Sequence, residues 1–132
     1  MNLPLAPTMP TSALDEERFE IVNGQIRELE PTGVYECGIA TVLSALLLHF
    51  VNASKLGKVA TDTLFNLLPG IQRRPDVAFV FRDRWPIGRR YPKTSAWDIV
   101  PDLAVEVVSP TSRLDQIVEK MREYFQAGVR QV

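Results

Sequence analysis

The chain has 132 residues, of which 45% are hydrophobic and 23% are charged, and its formal net charge is −1. This composition indicates one folded domain with a core of its own. It excludes a chain that is disordered throughout, and it excludes nucleic-acid binding by bulk positive charge alone while permitting a local basic patch. Cys37 is the only cysteine, so an intramolecular disulfide is excluded and a reducing compartment is favoured.

The first segment, residues 1–14, contains three prolines, two threonines and one serine, which predicts a flexible N-terminal arm ahead of a single domain over residues 15–132. The chain start lacks the basic stretch of a signal peptide. The longest apolar run, about residues 39–51, is too short to span a bilayer and is interpreted as a core helix. We therefore expect a cytoplasmic protein with no membrane association.

A β-hairpin and a helix are predicted next. Residues 19–22 and 25–29 flank Asn23-Gly24, the dipeptide that most favours a two-residue hairpin turn, because both of its residues accept positive φ. From Glu36 to about Ala53, apolar residues recur at three- and four-residue steps, which indicates a helix with a broad apolar face.

Three further strands and a last helix follow. The strands are expected over residues 58–68, 77–81 and 103–108, with a turn at Pro69-Gly70 and a long polar loop over 82–100. Ser112 and Asp115 resemble a capping box that begins a helix, and Gly128 suits its end. The apolar face of this helix is predicted to contain Leu114, Ile117, Val118, Met121, Tyr124 and Phe125. The order β-β-α-β-β-β-α predicts a mixed α/β domain, with a central mixed β-sheet flanked by helices.

Two acids lie in apolar strands, where carboxylates are rare unless they are paired or bind a metal: Asp76 and Glu106. If the two strands are antiparallel neighbours with Asp76 opposite Glu106, then Phe81 lies opposite Pro101 and the loop falls at 82–100, where the composition independently places it. Opposed residues have Cβ atoms about 4.5–5.5 Å apart. Two carboxylates at that distance repel each other unless a cation such as Mg²⁺ or Mn²⁺ lies between them. The alternative is that Asp76 caps a turn and Glu106 pairs with an arginine.

Asp102 is also acidic, but it lies about 13 Å from Glu106 along the strand and is expected at a loop edge. Residues 72–93 carry seven basic residues against two acidic ones, which is a local excess of five positive charges. Such a loop is suited to phosphate contact, although charged loops are often only solvated. The basic candidates are Arg73, Arg74, Arg89, Arg90 and Lys93. Trp85 and Tyr91, in the same loop, are candidates for stacking on bases.

Four segments carry a resemblance to a known family: FEIVNG at 19–24, RPDVAFV at 74–80, PDLAVEVVSP at 101–110, and Glu119-Lys120 followed by Tyr124 and AGV at 127–129. Together they resemble the putative restriction endonuclease family of bacteria, in the PD-(D/E)XK nuclease superfamily, over roughly residues 15–132. The resemblance implies a restriction-endonuclease-like fold and metal-dependent hydrolysis of DNA phosphodiester bonds.

The resemblance also implies roles for individual residues. Asp76 and Glu106 match the superfamily's Asp and Glu and would hold Mg²⁺ or Mn²⁺, but Val108 replaces the lysine of Glu-x-Lys. Lys120 is the candidate substitute, because its helical position flanks the buried face. Its alternative role is a solvated lysine paired with a neighbouring glutamate. Glu36 is the candidate third acid, and its alternative role is a favourable charge at a helix N-terminus.

The sequence leaves three functions open: a metal-dependent DNA endonuclease, a catalytically inactive DNA-binding or protein-interaction domain on the same fold, and, least favoured, a small-ligand or structural protein. The chain ends at Val132, where members of the family continue into another core strand, so we expect a domain truncated at its C-terminus. A homodimer is also expected, because a missing strand would expose a sheet edge and apolar surface.

Overall fold

The computed structural model of the chain describes residues 18–132, so the arm predicted for residues 1–14 lies outside the described part. The helices and strands are, in chain order, β1 Phe19–Val22, β2 Gln25–Glu28, α1 Val34–Ser54, β3 Gly57–Thr61, β4 Phe65–Leu68, β5 Ile71–Arg73, β6 Val77–Phe81, β7 Leu103–Val105 and α2 Leu114–Ala127. The mixed α/β class is confirmed, although two antiparallel sheets take the place of the single central mixed sheet that was expected.

The strands of the described residues form two antiparallel sheets. One sheet has four strands in the order β2-β1-β5-β4, and the other has three in the order β3-β6-β7. Parallel pairing occurs only at two isolated bridges within this part of the chain, Phe65 with Trp97 and Leu103 with Gln131. The two sheets and α2 enclose a core of Phe65, Leu67, Ala78, Val80, Trp85, Trp97, Ala104, Tyr124 and Val129.

The β1–β2 hairpin has the predicted turn. Asn23 has φ 52° and Gly24 has φ 74°, and Val22 pairs with Gln25. The predicted strand over residues 58–68 is wrong, because the chain turns at Asp62, whose φ is 46°, and sends β3 and β4 into different sheets. Strand β5 was not predicted, since three residues are too few to show an alternating pattern.

The register between β6 and β7 is the one that the sequence predicted. Val77 pairs with Val105 and Ala78 with Ala104, in antiparallel orientation. Extending this register by one pair places Asp76 opposite Glu106. Strand β7 ends at Val105 rather than at residue 108, because the next backbone N–H in the ladder, that of Val107, donates to the Asp76 carboxylate instead.

The helix α1 has almost the predicted bounds, but its interpretation as a core helix is wrong. Within α1 only Val51 is buried, while Val42, Leu46 and Phe50 are each more than 60% exposed. The helix that contains the apolar run has 21 residues and is long and apolar enough to cross a membrane by length and composition alone. This is weak evidence of a membrane span, since core helices and signal sequences have the same properties.

The helix α2 ends as predicted, because Gly128 follows its last residue in the left-handed conformation, with φ 100°. Its predicted capping box is absent: Arg113 is the N-cap, and Ser112 Oγ accepts the backbone N–H of Ser109 instead. The predicted apolar face is largely exposed, and the buried residues of α2 are Glu123 and Tyr124. The reason is electrostatic, because Glu123 turns inward toward a buried arginine.

The loop over 82–100 and its edge are more buried than their polar sequence indicated. Asp102 lies at the loop edge, directly before β7, as expected, but it is buried: it accepts the backbone N–H of Phe81 at 2.7 Å and pairs with Arg84 at 3.1 Å. Trp85 is also buried, with its ring 5.3 Å from that of Trp97, so it presents no face for a base.

The close contact between β3 and β6 can be tested with paired glycine substitutions. A Cβ on Gly57 would lie 2.0 Å from the backbone oxygen of Val80. We expect Gly57→Ala to lower the free energy of unfolding by about 1–3 kcal/mol or more, because backbone atoms must move. The control Gly38→Ala adds a methyl group on α1 with no atom within 4 Å, and should stabilise the protein by up to about 1 kcal/mol. Urea denaturation measures both, and equal values would contradict this packing.

Candidate metal-binding and nuclease site

The opposed acids lie on one face of the three-stranded sheet. Asp76 precedes β6 and Glu106 follows β7, and directly opposed residues of antiparallel strands project to the same face. Asp76 Oδ2 accepts the Val107 backbone N–H at 2.6 Å, which directs its carboxylate toward β7. The pairing that the sequence predicted thus brings the two carboxylates to one place.

Glu106 is held on both sides by α2. Its Oε1 accepts the hydroxyl of Tyr124 at 2.6 Å, and its Oε2 lies 3.6 Å from Lys120 Nζ. Burial raises the pKa of Glu106 to about 7, although Lys120 and the Tyr124 hydroxyl act in the opposite direction. A divalent cation beside the carboxylate would favour its ionised form.

Lys120 reaches the site from α2, as its helical position predicted. Its Nζ lies between Glu20 Oε1 at 3.3 Å and Glu106 Oε2 at 3.6 Å, and its side chain is 22% exposed. Neither glutamate of the alternative interpretation pairs with it, since Glu119 faces Arg27 and Glu123 faces Arg73. In contrast, Val108, at the usual lysine position, is 57% exposed.

Glu20 is the site residue that the sequence analysis missed. It lies on β1 and is 2% exposed; its Oε1 accepts the Arg74 backbone N–H at 3.0 Å, and its Oε2 lies 2.8 Å from Arg73 Nη1. A signal for it exists in the sequence, because Glu20 shares a strand face with the buried Val22. That pattern, an acid on the buried face of a strand, is the one that identified Glu106.

Arg73 is a structural residue, so its assignment to nucleic-acid contact is wrong. It is 2% exposed, and its guanidinium lies between Glu20 and Glu123, with Nε 2.5 Å from Glu123 Oε2. Burial opposes the charge, but the hydrogen bonds to Glu123 and Glu20 outweigh burial and raise the pKa of Arg73. No surface remains on Arg73 for a phosphate.

The net negative charge of the site favours binding of a divalent cation. Ionised, its four carboxylates exceed its two basic side chains by two negative charges; the groups are Glu20, Asp76, Glu106, Glu123, Arg73 and Lys120. Carboxylate oxygens are the ligands that Mg²⁺ and Mn²⁺ prefer. No group of three or more metal-ligating side chains occurs within residues 18–132, so water and phosphate oxygens would complete the coordination of an ion on Asp76 and Glu106.

The predicted third acid, Glu36, makes no polar contact with the candidate site among the described residues. It occupies the first turn of α1 and is half-buried, with its carboxylate close to Gly33. No hydrogen bond or ion pair among the described residues joins it to Asp76, Glu106 or Lys120.

The predicted basic surface is smaller than the sequence indicated. Arg74 is half-buried, and it donates to the backbone oxygens of Phe19 and Asp62. Arg89, Arg90 and Lys93 are exposed, and Arg89 lies over the ring of Trp85 at 3.8 Å. These three residues are the basic side chains of the predicted set that solvent reaches most freely.

Comparison with known proteins identifies the family and a similar fold. The sequence profile of the Uma2 family, described as putative restriction endonucleases, matches residues 7–132, so the chain belongs to that family. The fold is similar to the crystal structure of a putative nuclease belonging to DUF820 from Anabaena variabilis ATCC 29413, with a TM-score of 0.67 and 16% sequence identity. That match covers 84% of this chain and 62% of the Anabaena chain, so the chain spans less than two thirds of its structural neighbour. No curated protein matches it.

The structural role of Arg73, on β5, can be tested against Arg90, an exposed arginine of the loop over 82–100. We expect Arg73→Met to lower the free energy of unfolding by about 3–5 kcal/mol, because it leaves Glu123 buried without a cation and leaves Glu20 with Lys120 alone. Arg90→Met, at an exposed position, should change it by less than about 0.5 kcal/mol.

Chemical denaturation followed by circular dichroism measures both variants. Adding Glu123→Gln to Arg73→Met should recover part of the loss, since it removes one of the stranded charges. If Arg73→Met and Arg90→Met unfold at the same denaturant concentration, Arg73 is not the buried ion-pair partner described above.

Proposed function

We propose that the protein is a metal-dependent endonuclease that hydrolyses DNA phosphodiester bonds with Mg²⁺ or Mn²⁺. The observation that carries the proposal is the opposition of Asp76 and Glu106 across β6 and β7, with Lys120 Nζ 3.6 Å from Glu106. Membership of a family described as putative restriction endonucleases supports a nuclease.

Asp76 and Glu106 would hold the cation, since the strand register opposes the two residues and Asp76 keeps one oxygen without a backbone hydrogen bond. A divalent cation held there would lower the pKa of a water molecule and offset the charge of the phosphate. Hydrolysis would form a bond between the water oxygen and phosphorus and break the bond from phosphorus to one ester oxygen, and the proton that the water loses would balance the proton that this ester oxygen gains.

The remaining side chains position these groups. Tyr124 donates its hydroxyl to Glu106 Oε1 and so fixes the direction of Oε2. Lys120 would stabilise the negative charge that develops on the phosphate, since its ion pairs with Glu20 and Glu106 hold the ammonium group at the site. Arg89, Arg90 and Lys93 would contact the DNA backbone at the exposed loop.

The second candidate is a catalytically inactive DNA-binding or protein-interaction domain on the same fold. One observation favours it: Val108 replaces the usual lysine.

The homodimer also stays a prediction. The exposed residues Tyr35, Val42, Leu46 and Phe50 of α1 provide apolar surface for it, and light scattering after gel filtration measures the mass in solution.

The nuclease is tested by plasmid cleavage with Mg²⁺ or Mn²⁺. We expect Asp76→Asn and Glu106→Gln each to lower the rate by about 100-fold or more, because each removes a charged ligand while keeping the side-chain size. Asp83→Asn and Glu28→Gln are the matched controls at exposed positions and should cleave at the wild-type rate. Chelation by EDTA should abolish cleavage. Absence of nicking by the folded wild-type chain would favour the inactive domain.

The role of Lys120 separates transition-state stabilisation from metal binding. Lys120→Met should keep or strengthen Mn²⁺ binding, since it removes a positive charge 3.6 Å from Glu106, while it lowers cleavage by about 100-fold. Arg122→Met, on an exposed face of the same helix, should leave both unchanged. Isothermal titration calorimetry measures the binding. Loss of Mn²⁺ binding together with cleavage would instead make Lys120 a residue that builds the metal site.

A further inference from the structure

A cavity that is lined in part by Ala60 of β3 lies outside the contacts described above. Its volume is about 340 Å³, within the range of small-molecule sites. It is lined by Ala60 and by polar and aromatic side chains, among them Asp62, Arg74, Tyr91, Thr94 and Trp97. We call this cavity the aromatic cleft.

The aromatic cleft and the opposed acids share one face of the three-stranded sheet. Ala60 of β3 pairs with Ala78 of β6, so the two side chains project to the same face of the sheet. Asp76, just before β6, is two residues from Ala78, so it projects to that face as well. One strand spacing and two residues separate their Cα atoms by about 8 Å. The backbone also joins the two places, because the Asp62 N–H donates to the Asp76 carbonyl oxygen at 3.2 Å.

The chemistry of the aromatic cleft suits a flat ring that carries hydrogen-bond acceptors. Trp97 is 3% exposed, and its indole Nε1 has no hydrogen-bond partner among residues 18–132. An indole N–H only donates, so this buried donor lacks the acceptor that it needs within the described part of the chain, and Trp97 is one of the residues that line the cleft. Tyr91 is 49% exposed, and its ring is fixed by a hydrogen bond from its hydroxyl to the Val59 oxygen at 2.8 Å and by packing against Trp97.

The surrounding charge favours a ligand attached to phosphate. Lys58 Nζ lies 4.8 Å from the centre of the Tyr91 ring, and the exposed Arg89, Arg90 and Lys93 belong to the same loop as Tyr91. Aromatic side chains beside a basic surface are the usual means of holding the bases of a single strand.

We propose that the aromatic cleft binds one unpaired nucleobase of the DNA strand, stacked on Tyr91 and accepting a hydrogen bond from Trp97 Nε1. The proposal rests on the proposed nuclease function and specifies its substrate: DNA with a base outside the stack close to the cleaved phosphate. A paired base cannot enter, because its faces and its hydrogen-bonding edge are already occupied within the duplex.

The test observes the two indole N–H resonances of the ¹⁵N-labelled protein in EDTA, where no cleavage occurs, with Trp85→Phe to assign them. Adding each of the four deoxynucleoside monophosphates should shift the Trp97 indole proton downfield with at least one of them. Deoxyribose 5-phosphate, which has no base, should leave it in place. No shift with any nucleotide, or an equal shift with the base-free sugar phosphate, overturns the proposal.

Oligonucleotide binding, measured by fluorescence anisotropy in EDTA, tests Tyr91. Tyr91→Ala should weaken binding of a single strand by at least about 5-fold, the lower end of base–aromatic stacking effects, while Tyr91→Phe, which keeps the ring, should retain it. Equal binding by Tyr91→Ala and the wild type overturns the proposal. Because neither measurement needs cleavage, an inactive protein that binds bases and an active nuclease that does not are distinguished.

Discussion

Arg73 is the residue on which the arrangement of the molecule depends. Its buried guanidinium joins Glu20 of the four-stranded sheet to Glu123 of α2. Because a buried charge without a partner is costly, these three groups must meet if the chain is to fold. Their meeting fixes the rotation of α2 about its axis, so that Glu123 and Tyr124 point inward while the apolar residues Leu114 and Phe125 face solvent.

The candidate site is a consequence of that rotation. With Tyr124 inward, its hydroxyl reaches Glu106, and Lys120, one turn earlier on α2, reaches both Glu106 and Glu20. Lys120 of α2 thus lies near Glu106, whereas Val108, at the strand position that usually holds the lysine, is exposed at the surface. Glu20 belongs both to the buried ion pairs of Arg73 and to the candidate site, because one of its oxygens faces Arg73 and the other faces Lys120.

The same network divides the basic residues of the chain between structure and surface. Arg73 and Arg84 are held by buried carboxylates, and Arg74 by backbone oxygens, whereas Arg89, Arg90 and Lys93 stay exposed. A count of positive charges along residues 72–93 cannot make this division. Local composition records how many charges a segment holds, but burial depends on which distant carboxylates the fold brings to them.

The sequence by itself determined the local features and the pairing of two strands: the turn at Asn23-Gly24, the ends of both helices within two residues, and the register that opposes Asp76 to Glu106. Each follows from interactions between near neighbours or from the two-residue period of a strand. Only the tertiary structure decided that Asp62 splits one apparent strand into two sheets, that Arg73 is buried, that Glu20 joins the site, and that α1 exposes its apolar residues. These outcomes depend on contacts between residues far apart in the chain, whose energies no local pattern contains.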